Sequence, residues 1–229
     1  MSQQRIPVSS EILADMETPL SVFKKLGNMP FSYLFESVEG GEKWARYSLI
    51  GLPSSKVIKV YNNQIKIFKD GKIEEEITSL DPLKFLEDYQ ESIKVKFNDQ
   101  LPTFTGGLVG YLGYDCIRYI EPKLSNSKLQ DPLGTPDALF MVSEEVAVFD
   151  NLNNKLHLIV LSESESGADV SKAEQRLEVL SKKLASPLTY ETPEKIGEPA
   201  TENDFVSGFG EKEFKETVEQ VKEYIKAGD

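Results

Sequence analysis

Residues 34–51, LFESVEGGEKWARYSLIG, form the stretch that decides how this chain folds. The segments on either side of Gly40-Gly41 are rich in aromatic and branched side chains, which is typical of β-strands. Glycine reaches positive φ without steric cost, so the Gly-Gly pair favours a tight turn between the two segments. The stretch therefore predicts a β-hairpin with strands over residues 31–38 and 45–52.

The predicted hairpin gathers side chains that suit a zwitterionic amino acid. Strand alternation sets Glu36 and Ser37 on opposite faces, and Arg46 returns on the opposing strand within cross-strand reach. A carboxylate such as Glu36 binds an ammonium group, whereas a guanidinium such as Arg46 binds a carboxylate. These residues leave two interpretations open, an amino-acid site or an ordinary solvent-facing hairpin, and the pattern alone favours the ordinary hairpin.

Length, composition and charge narrow the class of protein. The chain has 229 residues, of which 28% are charged and 39% hydrophobic, as in a globular protein with a substantial core. Its net charge of −12 argues against nucleic acid or an anionic membrane as a partner. The single cysteine, Cys116, cannot form an internal disulfide, and no apolar run is long enough to span a bilayer. We therefore expect a cytoplasmic protein.

Hydrophobic periodicity predicts an alternation of helices and antiparallel strands around the hairpin. The predicted elements are two helical pieces over residues 9–26, a β-meander over 55–77, a helix from Asp81-Pro82 to about Ile93, a long hairpin over 137–162 and a helix over 168–186. In the first of these regions a serine would cap EILADM, and Thr18-Pro19 would begin LSVFKKL. The helices are expected to cover the sheets.

A second specific stretch, residues 104–115, reads FTGGLVGYLGYD. Its clustered glycines do not fit a phosphate loop, because a Gly-Lys-Ser/Thr ending and the strand-turn-helix context of a dinucleotide fingerprint are both missing. We interpret them as glycines that let a central strand pack tightly against a neighbour. His157 and Cys116 stand in no catalytic motif and are interpreted as structural residues.

The two stretches resemble blocks of the anthranilate synthase component I family. LFES followed by ARYSLIG is similar to the family's LLES and RYS-x-IG blocks, and GGLVGYLGYD is similar to its GG-x-VGY-x-GYD segment. The resemblance implies an α+β fold in which antiparallel β-sheets pack as a sandwich with flanking helices. It also implies that Ser37, which matches the LLES serine, belongs to a tryptophan feedback site, with Glu36 and Arg46 as candidate partners of the ammonium and carboxylate groups.

The resemblance further implies the reaction of the whole protein. In this family chorismate and ammonia, drawn from glutamine by a partner amidotransferase subunit, become anthranilate and pyruvate with Mg²⁺. The family's catalytic and metal-binding residues would lie beyond residue 229, so no catalytic or metal residue is expected in this chain. Two alternatives stay open: aminodeoxychorismate synthase component I, whose N-terminal half is related, and a free-standing amino-acid-binding module without enzymatic activity.

The domain organisation follows from linker composition. Residues 1–187 are predicted to form an N-terminal regulatory α+β domain, and residues 188–204, with prolines at 193 and 199, a linker. Residues 205–229 carry an amphipathic helix that resembles the first helix of the family's chorismate-binding domain. Its apolar stripe consists of Phe214, Val218, Val221 and Ile225. We therefore expect a truncated fragment of the parent enzyme that is inactive alone.

Overall fold

The computed structural model describes residues 4–36, 46–124, 133–188 and 197–228. The strands are β1 Ile6–Leu13, β2 Tyr33–Phe35, β3 Tyr47–Gly51, β4 Lys56–Tyr61, β5 Gln64–Lys69, β6 Lys72–Thr78, β7 Gly107–Leu112, β8 Ala138–Ser143, β9 Glu145–Asp150 and β10 Lys155–Ser162. Within these described ranges they form two five-stranded antiparallel sheets, with orders β1-β10-β9-β3-β2 and β6-β5-β4-β8-β7. The predicted α+β class, with antiparallel sheets and flanking helices, is confirmed.

Helices flank the sheets and also occupy the C-terminal part of the chain. They are α1 Pro19–Val22, which continues into a π-helical turn at Phe23–Gly27, α2 Pro82–Ser92, α3 Ile117–Ile120, α4 Gly167–Leu184 and α5 Glu211–Ala227. Short 3₁₀ turns lie at Tyr114–Cys116, Pro122–Leu124 and Glu202–Asp204. The chain divides into two compact units, Met1–Leu188 and Thr189–Asp229, and both sheets belong to the first unit.

The first strand replaces a predicted helix. β1 pairs with β10 along its whole length, and its side chains alternate, with Val8 and Ile12 against the core and Ser9 and Glu11 exposed. The helix predicted for EILADM is therefore wrong, because a two-residue period that pairs with a buried strand outweighs a capping signal. The second helical piece is confirmed, since the Thr18 side chain accepts the first-turn N–H and Pro19 opens α1.

Each sheet has its own hydrophobic core beneath a helix. On the first sheet, α4 buries Ala173, Leu177, Leu180 and Leu184 against β-strand residues such as Leu158. On the second sheet, Leu86 of α2 packs with Ile58, Val60 and Ile65. Burying one such aliphatic side chain contributes about 1.5–3 kcal/mol, so these two layers fix the positions of the sheets.

The chain crosses directly between the sheets at two neighbouring places. Residues 137–150, predicted as one strand, divide into β8 in the second sheet and β9 in the first, with Glu144 between them. Beside this crossing β3 leads into β4, where Leu52 N–H donates to Glu145 O at 3.1 Å and Ser54 Oγ donates to Val142 O at 2.8 Å. The single long strand is therefore wrong, because alternation continues through a bend at which a strand changes sheets.

The glycine-rich block forms β7. Among the described strands it lies at the edge of the second sheet, paired with β8 along Gly107↔Ser143 to Leu112↔Ala138, so the predicted central position is wrong. Its close packing is confirmed, because a Cβ added at Gly110 would lie 1.8 Å from Leu139 O. The glycine is therefore required by the approach of the neighbouring backbone.

Candidate functional site

β2 leads directly into the candidate site. This strand pairs with β3 through Tyr33↔Gly51, Leu34↔Ile50 and Phe35↔Leu49. Glu36 follows the last of these pairs and is exposed to solvent. Ser37, the Gly-Gly turn and Trp44 lie outside the described residues. The structure thus confirms the two strands of the predicted hairpin, and the serine assignment stays a prediction.

Tyr33 holds the beginning of β2. Its ring lies over Gly51, where an added Cβ would be only 1.8 Å from the ring Cε1 atom. Its hydroxyl oxygen is 2.9 Å from Ser143 Oγ, and both residues are buried. Burial raises the pKa of Tyr33 to about 12, so the hydroxyl remains protonated and able to donate at neutral pH.

Arg46 lies immediately before β3 and is paired with Asp150 at the end of β9. Its Nε is 3.2 Å from both carboxylate oxygens of Asp150, and its Nη2 is 2.7 Å from Oδ2. The guanidinium carbon also lies 4.8 Å from the centre of the Tyr47 ring. A bidentate pair of this kind fixes both the position and the plane of the guanidinium.

Asp150 is a buried carboxylate that also organises the turn after β9. Its side chain is 3% exposed and accepts hydrogen bonds from the backbone N–H groups of Leu152 and Asn153 and from Asn153 Nδ2. Burial by itself would raise the pKa of Asp150, but the hydrogen bonds from Arg46 and Asn153 outweigh it and hold that pKa below its ordinary value. Asp150 therefore carries its charge throughout the neutral range.

This geometry bears on the predicted role of Arg46. Continued from Phe35↔Leu49, the register sets Glu36 opposite Ser48, two residues away from Arg46. The structure therefore pairs Arg46 with Asp150 instead of placing it directly across from Glu36. A guanidinium carries five N–H donors, so a bound carboxylate would share it with Asp150. The assignment of Arg46 as a carboxylate ligand stays a prediction.

The sequence pattern does not predict the site residues Asp150, Tyr33 and Ser143. The sequence did carry a signal for Asp150, because an aspartate before an Asn-rich turn commonly accepts backbone N–H groups two and three residues later. It carried none for the tyrosine-serine contact, since those residues are 110 positions apart. Local periodicity does not report such a contact.

A polar cleft of about 680 Å³ lies at the turn between β4 and β5. Its lining includes Asn62, Asp115, Arg118, Tyr119 and Asp137. These groups are largely paired with one another: Asp137 accepts from Tyr119 Oη at 2.7 Å and from Asn62 N–H at 2.6 Å, and Arg118 donates to Asp115 at 2.8 Å. We interpret the cleft as the joint between the GYD block and the hairpin turn, and we assign it no ligand.

The surroundings of His157 and Cys116 agree with the structural roles predicted for them. His157 is buried in β10, opposite Glu11 on one side and Val148 on the other. Cys116 is buried, its Sγ donates to Asp137 O at 3.1 Å, and burial raises the pKa of its thiol. Within the described ranges, no group of three or more His, Cys, Asp or Glu side chains could hold a metal ion. None of the helices in that part of the chain is long and apolar enough to cross a membrane.

Comparison with known proteins identifies the family. A family model described as chorismate binding enzyme matches residues 32–229. The chain belongs to the chorismate-binding enzymes. Among curated relatives, anthranilate synthase component 1 of Pseudomonas aeruginosa is 45% identical over 98% of this chain, and that of Acinetobacter calcoaceticus is 46% identical over 98%. The resemblance to anthranilate synthase component I is therefore confirmed.

These two relatives are about twice as long as this chain. The chain spans 46% of the Pseudomonas aeruginosa protein and 45% of the Acinetobacter calcoaceticus protein. A crystal structure of anthranilate synthase component I from Streptococcus pneumoniae TIGR4 is 27% identical, with a TM-score of 0.49, over 77% of this chain and 37% of that one.

The two sequence blocks that carry the resemblance lie on different sheets. The described residues of the LFES block belong to or follow β2, and RYSLIG contains β3, both in the first sheet, whereas GGLVGYLGYD contains β7 of the second.

Proposed function

We propose that the chain is the N-terminal regulatory part of an anthranilate synthase component 1. The observation that carries this proposal is 45% identity to a protein of that name over 98% of the chain, while the chain spans 46% of that protein. The whole protein would convert chorismate and ammonia into anthranilate and pyruvate, and a glutamine amidotransferase partner would supply the ammonia. We place the enzyme in the cytoplasm, in keeping with a single cysteine and a net charge of −12.

No step of that reaction is assigned to residues of this chain. The parent reaction would need Mg²⁺, but the described residues offer no cluster of metal-ligating side chains and therefore do not fit a magnesium site. Cys116 has a raised thiol pKa, which is the reverse of what an activated nucleophile requires. We therefore propose that residues 1–229 alone are inactive.

Residues 205–229 are proposed as the beginning of the chorismate-binding catalytic domain. The support is the apolar stripe of α5, in which Phe214, Val218, Val221 and Ile225 are 57%, 40%, 46% and 67% exposed. A helix with such a stripe gains most of its stability when another element covers the stripe. Residues 1–187 would form the regulatory domain and residues 188–204 the linker.

The regulatory part would bind tryptophan as a feedback inhibitor at Ser37, Glu36 and Arg46. Glu36 is exposed directly after β2 and would accept the effector's ammonium group. Arg46 is held in one orientation by buried Asp150, so its remaining donors could meet the effector's carboxylate without a large loss of side-chain entropy. An inhibitor acts through its different affinities for active and inactive states, typically about 1–3 kcal/mol of coupling.

The test replaces Ser37 in a full-length enzyme that carries this chain. Anthranilate formation is measured as tryptophan is titrated, for wild type, Ser37→Phe and the matched control Ser186→Phe, whose serine is exposed two residues after the end of α4. We expect Ser37→Phe to lose most of its inhibition at an unchanged melting temperature, and Ser186→Phe to stay inhibited. A Ser37→Phe enzyme that stays fully sensitive, or that loses activity and stability together, contradicts the site.

A further inference from the structure

β2 is weakly attached by its own ladder. It is three residues long, and in the described part of the chain it lies at the edge of the first sheet, paired only with β3. A short edge strand has few backbone hydrogen bonds and solvent on one side, so it belongs to the segments that open most easily. Side-chain contacts must therefore hold β2 in place, and with it the exposed Glu36 that follows.

Tyr33 supplies those contacts from the first position of β2. The ring occupies the space that a side chain at position 51 of β3 would fill, and its centre is 5.0 Å from that of the Phe35 ring on the same strand as Tyr33. Its hydroxyl reaches Ser143 Oγ at 2.9 Å in a buried setting. A buried hydroxyl pair is costly to break, because each partner would then be left unsatisfied.

The contact between Tyr33 and Ser143 also links the two sheets. Ser143 is the last residue of β8 and therefore belongs to the second sheet, one residue before the crossing at Glu144. Tyr33 thus ties the edge strand of the first sheet to the place where the two sheets are joined. A change in the relative position of the sheets would move β2 through this contact.

We propose that Tyr33, Gly51 and Ser143 form a positioning element that holds β2, and through it the effector site, in the geometry that binds tryptophan. The inference rests on the proposed function of Glu36 and Ser37. Tyr33 does not contact the effector; it acts by limiting the conformations of β2, the strand that leads directly into Glu36. A site whose competent conformation is populated for only part of the time binds its ligand correspondingly more weakly.

The experiment measures the tryptophan inhibition constant and the melting temperature of a full-length enzyme that carries this chain. The variants are Tyr33→Phe, which removes one hydroxyl, Ser143→Ala, which removes its partner, and Gly51→Ala, which displaces the ring. The matched control is Tyr119→Phe, which removes a hydroxyl that donates to Asp137, the residue immediately before β8. Ser37→Phe is included as the variant that tests the effector site itself.

We expect Tyr33→Phe and Ser143→Ala each to raise the inhibition constant about 2- to 10-fold, the range of one net buried hydrogen bond. The double variant should have an inhibition constant no higher than that of either single variant, because both substitutions remove the same contact. Gly51→Ala should raise the inhibition constant further. Tyr119→Phe should lower the melting temperature and leave the inhibition constant unchanged.

Two results would overturn the inference, and they differ in whether the proposed effector site also fails. If Ser37→Phe loses inhibition while Tyr33→Phe and Ser143→Ala shift the inhibition constant no more than Tyr119→Phe does, the positioning element is wrong and the effector site stands. If Ser37→Phe stays fully sensitive to tryptophan, the effector site is wrong and the inference falls with it. Because Tyr33→Phe removes a single atom, the test does not depend on whether Gly51→Ala folds.

Discussion

The two long helices α4 and α5 have nearly equal lengths and opposite surroundings. They span 18 and 17 residues, and each carries apolar residues at helical spacing. In α4 the stripe is buried against the first sheet, with Leu177 and Leu180 at 6% and 3% exposure, whereas in α5 Phe214 and Ile225 are more than half exposed. The comparison teaches that an amphipathic pattern specifies a helix and a face but not the surface that covers it.

The largest expected effect is a difference in how much the two apolar stripes contribute to the free energy of unfolding. Leu180→Ala in α4 should reduce the free energy of unfolding of the 229-residue chain by about 2–5 kcal/mol, because it opens a cavity in a packed core. Ile225→Ala in α5 should change the same quantity by less than about 0.5 kcal/mol, because its side chain is already in water. Urea denaturation followed by circular dichroism measures both. Equal losses would show that α5 is covered in solution.

A smaller effect is expected from the pH dependence of stability, compared between a carboxylate of the first unit, Asp150, and one of the second unit, Asp204. Asp150 is buried and its pKa is depressed, so its charged form stabilises the fold above the unfolded-state pKa of about 3.9, and this contribution is lost as pH falls through the folded-state pKa. Asp150→Asn should therefore cost on the order of 2 kcal/mol at pH 7, with the difference from wild type shrinking as pH falls below about 4.

The control for this experiment is Asp204→Asn in the second unit. Asp204 is exposed, and its pKa is lowered by hydrogen bonds from Thr201 at the start of a short 3₁₀ turn. Its replacement should leave the unfolding transition of the first unit unchanged at every pH. Urea midpoints measured between pH 3 and pH 7 test the pair, and a pH-independent loss in Asp150→Asn would assign the effect to packing alone.

Turn-forming and helix-capping residues, together with the spacing of apolar residues, predicted much of the fold. The strands β4, β5 and β6 form the predicted meander, and the chain turns between them at Asn62 and Asp70, where φ is 51° and 50°. Two elements were mistaken where local signals conflicted with pairing. β1 carries a plausible serine cap but pairs with β10, and the 137–150 segment keeps one alternation while changing sheets at Glu144.

The candidate site was predictable only as far as its local residues. The hairpin pattern locates Glu36 and Arg46, because both lie next to strands that the composition reveals. It does not reveal that Asp150, 104 positions from Arg46, fixes the guanidinium, or that Tyr33 reaches Ser143. Contacts of such long sequence separation arise from how the strands are ordered in the sheets, which a single sequence does not encode in its local periodicity.

The most direct test of the account is the turnover of chorismate by residues 1–229 alone, measured beside a full-length enzyme that carries them. Both proteins receive ammonia and Mg²⁺, and anthranilate is followed by its fluorescence. We expect anthranilate from the full-length enzyme and none from the 229-residue chain, because no described cluster can hold the metal and no catalytic residue is assigned. Turnover by the chain that disappears on mutation within it would place the active site here and contradict a purely regulatory role.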